Sequence, residues 1–278
     1  MNVHQSLDKL NAHEMRQMMK TPSNNYRWIT TEDGSQTLHS DLYGEACHST
    51  TGAKTETLLH YLEGCEVKTR LNCFSEFQIL EVGFGLGLGF LTTLEVLGDV
   101  HPWHFVSMEI DPDLVKWFLE EYKEIPVIKN AKWSNPHLVE AESGNVKLSI
   151  VVGDARVELA PYFETHHFNF HAIFQDAFSP KRNPHLWTVE WFTLLKKHSH
   201  QDCILSTYSA SSSIRKSLLE SGWVISKGHK FGPKRSSTRA RLVGSSDPEI
   251  MVHLERSPVT AIYDNNVDEF ILKAKGEA

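Results

Sequence analysis

The chain has 278 residues, 40% hydrophobic and 23% charged, with a formal net charge of −7. That length and balance fit one large globular domain with an ordinary core and exclude collagen-like or wholly disordered chains. No apolar run approaches the roughly 18 residues of a membrane helix, and the polar N-terminal segment lacks a secretory pattern, so a cytoplasmic protein is expected.

Tyr26–Thr30, the turn signal Asp33-Gly34 and an extended stretch from Thr37 to Leu42 predict a short hairpin. Gly52–Leu62 has helical spacing, with Leu58, Leu59 and Leu62 on one side. From residue 76 strands and helices alternate. The expected strands are Phe77–Val82, Trp103–Glu109, Val146–Val152, Phe168–Gln175, Cys203–Tyr208, Trp223–Lys227 and Arg239–Val243. Between them fall expected helices at Leu86–Leu97, Pro112–Tyr122, Ala155–Tyr162, His185–His198 and Ser211–Ser221. Asp111 followed by Pro112 is a helix start, an acid cap before proline at the first helical position. Such alternation predicts an α/β, Rossmann-like fold: a mainly parallel sheet with helices on both faces and a small N-terminal extension. The expected division is an N-terminal lead-in (1–75), a core (76–244) and a C-terminal extension without an assigned role (245–278).

Cys47, Cys65, Cys73 and Cys203 include no Cys-x-x-Cys pair and read as reduced thiols. His101/His104 and His166/His167 have no further ligands at metal spacing, so no metal site is expected. Charge is unevenly distributed. From Asp176 to Arg241 there are twelve Lys or Arg against four Asp or Glu. This predicts a basic face on an acidic body, a surface for phosphates.

Glu81-Val82-Gly83-Phe84-Gly85-Leu86-Gly87 follows a strand and opens a helix, where glycines let backbone approach a ligand. Glu109 ends the next strand, where an acid accepts hydrogen bonds from ribose hydroxyls. Gly153-Asp154-Ala155 follows the third strand. The glycine spacing differs from the Gly-x-Gly-x-x-Gly of dinucleotide sites. Together these motifs resemble class I S-adenosyl-L-methionine-dependent methyltransferases. The resemblance implies Gly83, Gly85 and Gly87 beside the methionine part of that cofactor, Glu109 on the ribose and Asp154 near the adenine amine. Glu81, Phe84, Ala155 and Asp176 are expected to complete the cofactor site.

Asp176-Ala177-Phe178-Ser179-Pro180 follows the fourth strand. A carboxylate there can hold an amine and help take its proton, so Asp176 is the expected catalytic residue; it could equally cap the next helix. The longer pattern, Asp176 through Lys181, then Asn183-Pro184, Leu186-Trp187-Thr188, resembles the tRNA 5-methylaminomethyl-2-thiouridine methyltransferases. Further matches are Tyr43-Gly44-Glu45, His48-Ser49, Glu56-Thr57, Ser206 through Ala210, and Lys234-Arg235. The resemblance implies methylation of the 5-aminomethyl amine of a wobble (2-thio)uridine, with the tRNA anticodon loop as partner. It further implies a stand-alone enzyme without flavin, fed by a separate enzyme that makes the aminomethyl precursor. Phe178, Trp187 and Tyr208 are expected to stack on the base, and Lys181, Lys234 and Arg235 to bind the tRNA; Trp187 also fits core packing. An aminopropyltransferase like spermidine synthase, a methyltransferase acting on another amine, a nicotinamide-dependent dehydrogenase and a catalytically silent RNA-binding module are the competing readings.

Overall fold

The structure, a computed structural model, describes residues 21–230 and 236–275. Three short strands, β1 (Tyr26–Thr30), β2 (Gln36–Ser40) and β3 (Glu45–Ala46), form an antiparallel sheet of their own. A helical segment follows, α-helical over Ala53–Glu56 and a π-helix over Thr57–Glu63. The spacing of leucines predicted the helix; the wider π-turn departs from it.

Nine strands build the main sheet: β4 (Phe77–Val82), β5 (Trp103–Glu109), β6 (Lys132–Asn135), β7 (Leu138–Ser143), β8 (Val146–Val152), β9 (Phe170–Gln175), β10 (Ser199–Thr207), β11 (Val224–Lys227) and β12 (Thr238–Arg241). Their order is β11-β12-β10-β9-β4-β5-β8-β7-β6. The five central strands, β10, β9, β4, β5 and β8, are parallel. The flanking strands pair antiparallel. The central strands are nearly continuous apolar runs because both faces are covered. Side chains alternate between faces: Leu80 and Val82 join one core layer with Leu159, Trp191, Phe192 and Leu218. Phe77 and Ile79 join the other with Tyr61, Phe90, Val115 and Phe118.

Between β4 and β5 lies the Leu88–Leu97 helix, and between β5 and β6 the Pro112–Glu121 helix. Asp111 caps the latter by accepting from Asp113 N at 2.9 Å, as its position before Pro112 predicts. The chain leaves β4 toward β5 and β8 on one side, then returns to place β9 on the other. The crevice between the carboxyl ends of β4 and β9 is therefore a topological switch point, where such sheets bind ligands.

One expectation needs correction, and two segments left unassigned from sequence acquire structure. His185–His198 is not one helix: a 3-10 turn at Pro184–Trp187 precedes a helix at Val189–Lys197. Thr188 stands extended between them and its hydroxyl accepts from Trp191 N at 3.1 Å, so the threonine starts a new helix. The β6–β7 hairpin, unassigned from sequence, extends the sheet. Residues after 245, also unassigned, form helices Pro248–Arg256 and Val267–Lys275. Their Ile250, Leu254 and Val267 enter the same core, the i, i+4 pair of an amphipathic helix among acidic residues. Among the described residues no helix is long and apolar enough to cross a membrane.

Candidate active site

At the end of β4 the chain turns sharply at Gly83, whose φ is +100°. A Cβ there would lie 2.8 Å from the Asp176 carbonyl oxygen, so only glycine allows the two loops this close. Asp176 N donates to Val82 O at 3.1 Å, fixing the end of β9 beside this turn. Glu109, at the end of β5, accepts from Gly85 N at 2.8 Å and Asp111 N at 2.9 Å. These two donors orient its carboxylate at the cavity. Burial pushes the Glu109 carboxyl up to about 7, and the two backbone donors oppose that rise. At the end of β8 Asp154 is exposed and caps the Ala155–Thr165 helix, accepting from Arg156 N at 2.9 Å.

Gly83, Gly85, Glu109, Asp154, Ala155, Asp176, Phe178 and Tyr208 line one cavity of about 670 Å³. That volume lies within the range of small-molecule sites. The donor set fits S-adenosyl-L-methionine: a carboxylate at the end of β5 for hydroxyls, an acid and a helix start at the end of β8, and glycine backbone in place of side chains. A Cβ added to Gly85 would approach His48 Cε1 to 3.9 Å, entering the space between the loop and the far wall.

That far wall comes from the N-terminal segment, which contributes Tyr43, Glu45, Cys47, His48, Glu56 and His60. Sequence reasoning assigned none of them a role. Tyr43-Gly44-Glu45, His48 and Glu56 belonged to the matching motifs, which was the signal that they face the site. Glu45 accepts from Ser179 N at 3.0 Å and from the Ser179 hydroxyl, clamping the loop after Asp176 to β3. Tyr43 stacks on Phe178 with ring centroids 4.3 Å apart and planes 21° apart. Glu56 accepts from Ser49 N at 2.7 Å. His48 bonds Thr37 Oγ1 at 2.9 Å, and burial lowers its pKa to about 4, so the ring is neutral at pH 7. Asp176 Oδ1 accepts from Tyr61 OH at 2.5 Å, and Tyr208 OH donates to Ala177 O at 2.9 Å.

Other expected site residues lie elsewhere. Glu81 is 2% exposed and accepts from Ser107 Oγ at 2.7 Å, beneath the glycine loop and against Gly89. Phe84 packs edge-on against Phe118, and Gly87 faces the same two rings, so both seat the loop on its helix. Trp187 is fully buried; its indole N–H goes to Phe178 O at 2.9 Å, supporting the acceptor loop from behind instead of meeting a base. Lys181 lines a neighbouring cavity that shares Ser179 and Tyr208 with the first. Lys234 and Arg235 lie outside the described residues.

Among the described residues, several cations of the expected basic face are engaged within the fold. Arg215 is buried and donates to Thr238 Oγ1 at 2.9 Å. Arg239 and Arg241 both pair with Glu66, Lys227 pairs with Glu249, and Lys196 and Lys216 reach backbone carbonyls. Lys181 and Arg182, by contrast, are exposed beside the site. Among the described residues no group of three His, Cys, Asp or Glu side chains is placed to hold a metal ion.

Burial raises the Glu81 carboxyl to about 8, opposed by Ser107 and aided by the charge of Glu109. A folded pKa above the unfolded one gives stability that is complete below pH ~4.5 and lost as pH rises through the folded value. Glu81→Gln is therefore expected to raise Tm, with a gain larger at pH 8.5 than at pH 5. Thermal melts at both pH values check this, and an equal effect at both would remove the buried-charge account.

A Rossmann-like sheet with a glycine turn, an acid after β5 and an acid after β8 around one cavity defines a class I S-adenosyl-L-methionine-dependent methyltransferase. Residues 115–243 match the family described as S-adenosyl-L-methionine-dependent methyltransferase. It is 32% identical over 77% of its length to the tRNA 5-methylaminomethyl-2-thiouridine biosynthesis bifunctional protein MnmC of Azoarcus sp. (strain BH72). It is 31% identical over 79% of its length to the protein of the same name from Hahella chejuensis. The chain spans 35% and 37% of those two relatives. Among solved structures, MNMC2 from Aquifex aeolicus superposes with a TM-score of 0.71 at 27% identity, over 91% of this chain and 86% of that one.

Proposed function

We propose that this chain methylates the primary amine of a 5-aminomethyl-(2-thio)uridine at the tRNA wobble position, using S-adenosyl-L-methionine. The observation that carries the reading is the placement of the Asp176 carboxylate. Asp176 follows the carboxyl end of β9, its backbone packed against the Gly83 turn, and lines one cavity with Glu109 and Asp154. The likeness to the MnmC proteins supports the choice of acceptor.

Bound S-adenosyl-L-methionine supplies an electrophilic methyl carbon on its sulfonium. Glu109, Asp154 and the Gly83–Gly85 backbone would hold it, and the Glu45 clamp fixes the loop after Asp176 in the same cavity. An alkylamine with a pKa near 10 arrives as a cation. Asp176 attracts that cation into line and draws off the proton the nitrogen must lose. Aligning the amine with the methyl carbon supplies much of the acceleration, since in-line displacement depends on approach geometry. The stacked Tyr43–Phe178 rings line the same cavity and offer aromatic surface to a splayed base. Exposed Lys181 and Arg182 are placed for phosphates next to it. A cytoplasmic location and a separate enzyme supplying the aminomethyl group belong to the same reading.

The test is incubation with labelled S-adenosyl-L-methionine and tRNA from cells lacking this activity, followed by nucleoside mass analysis. The expected product is 5-methylaminomethyl-2-thiouridine. Cofactor binding without a methylated nucleoside would keep the fold and discard this acceptor.

A further inference from the structure

Asp176 ends a strand, and a carboxylate in that position has rotameric freedom unless something holds it. What holds it comes from 115 residues away. The Tyr61 hydroxyl donates to Asp176 Oδ1 at 2.5 Å. Tyr61 is 1% exposed, and its ring stacks on Phe174 with centroids 5.4 Å apart and planes 29° apart. Phe174 and Asp176 belong to the same stretch of chain, so Tyr61 grips it twice, by ring and by hydroxyl. Tyr61 rides on the π-helix Thr57–Glu63, a rare geometry that often marks functional sites. The carbonyl of the preceding residue, His60, accepts from Ser206 Oγ on β10. Backbone and side chain of this turn are thus tied to two adjacent strands.

We propose that Tyr61 is a positioning residue for methyl transfer: its hydroxyl fixes the Asp176 carboxylate in the orientation that receives the acceptor amine and favours its ionised form. This rests on the role given to Asp176 above. The phenol suits the task because it does not ionise in the working range. Burial pushes its pKa well above the usual tyrosine value, and the neighbouring Asp176 charge pushes it further. It remains a donor at every pH at which the enzyme works. Titratable groups that share the cavity with Asp176 are Glu56 and His60 from the same helical segment, Tyr208 after β10, Tyr43, Glu45, Cys47 and His48 from the N-terminal segment, Glu109 and Asp154 at the ends of β5 and β8, and His185. Burial raises the Tyr208 phenol and the Cys47 thiol as well, so neither competes as an acid near neutrality. Glu45 and Glu56 each accept a backbone N–H, and the Tyr61 hydroxyl donates to Asp176 Oδ1.

The test compares wild type with Tyr61→Phe, which keeps the stack on Phe174 and removes only the donor. The first readout needs no cofactor: the carboxyl carbon of Asp176 is followed by NMR against pH in aspartate-labelled protein, with Asp176→Asn assigning the signal. The second is the pH profile of methyl transfer. Tyr61→Phe is expected to move the Asp176 midpoint and the acid limb of kcat/KM upward by about one pH unit, because a donor to the charged form is lost. It is expected to lower kcat about tenfold or more while KM for tRNA and the cofactor Kd stay within about threefold. Coincident midpoints and acid limbs would overturn the proposal whatever the loss of rate, since a purely structural role changes amount and stability without moving a titration. Should Tyr61→Phe fail to fold, 3-fluorotyrosine at position 61, a stronger donor of nearly equal size, must move the midpoint downward. If the wild type transfers no methyl group to tRNA, the proposed reaction fails, while the NMR comparison still decides whether Tyr61 governs Asp176.

Discussion

Asp176→Asn is expected to lower methyl transfer by about a thousandfold or more while changing cofactor affinity by less than about threefold. The size follows from two losses at one atom. The acceptor amine enters as a cation, and a neutral amide neither attracts it nor takes up its proton; general-base assistance alone contributes about 10²–10⁴. A thousandfold loss corresponds to ~4 kcal/mol of transition-state stabilisation. Cofactor binding is spared because the contribution of residue 176 to the Gly83 turn is made by its backbone, through N–H to Val82 O and a carbonyl packed against Gly83. Asparagine keeps that backbone and can still accept from Tyr61. Single-turnover rates with tRNA and calorimetric cofactor binding separate the two quantities. Equal losses of both would make Asp176 a cofactor residue and not the acceptor-side acid; unchanged turnover would remove it from the mechanism.

The second large effect is expected at Glu109. Its carboxylate is oriented by Gly85 N and Asp111 N and lines the cavity, and in the proposed reading it accepts from the ribose hydroxyls of the cofactor. Glu109→Ala should raise the cofactor Kd about a hundredfold, ~2.7 kcal/mol, the scale of hydrogen bonds to a charged group. It should also alter the pH dependence. Because burial holds this carboxyl near 7, hydroxyl donors and the proton compete for it. Wild-type affinity should therefore weaken as pH falls below about 7, approaching tenfold per unit, and level off above it. Glu109→Gln should bind more weakly at pH 8 and show no such slope. Calorimetric Kd values from pH 5.5 to 8.5 decide this. A flat wild-type profile would mean that the cofactor does not read the charge of Glu109.

The strand-end positions of these two residues are where the sequence was most legible. Each ends a strand of an alternating β-α pattern, and strand ends in such sheets collect ligands whatever the surrounding detail. The glycine turn was legible for the same reason, though only in part. Gly83 and Gly85 reach the cavity, whereas Gly87 and Phe84 meet Phe118 on the next helix, a contact that spacing along one chain segment does not reveal. Trp187 shows the limit from the other side. A tryptophan after an acceptor motif can stack on a base or fill a core, and only the packing of Trp187 behind Phe178 decides between them. The basic stretch was legible only in part because charge counts ignore partners: Arg239 and Arg241 share Glu66, far back in sequence, and Arg215 is buried inside the fold.

By itself the sequence determined the layered α/β architecture and the glycines and acids gathered at its strand ends, because each is written in short-range order: apolar periodicity, turn glycines, and acids at or just past the end of a strand. Only the tertiary structure decided that the N-terminal segment forms one wall of the cavity, that Glu45 clamps the loop after Asp176, and that Tyr61 donates to the Asp176 carboxylate. Those contacts join residues more than a hundred positions apart. They depend on where the sheet brings chain segments together, which no local pattern encodes.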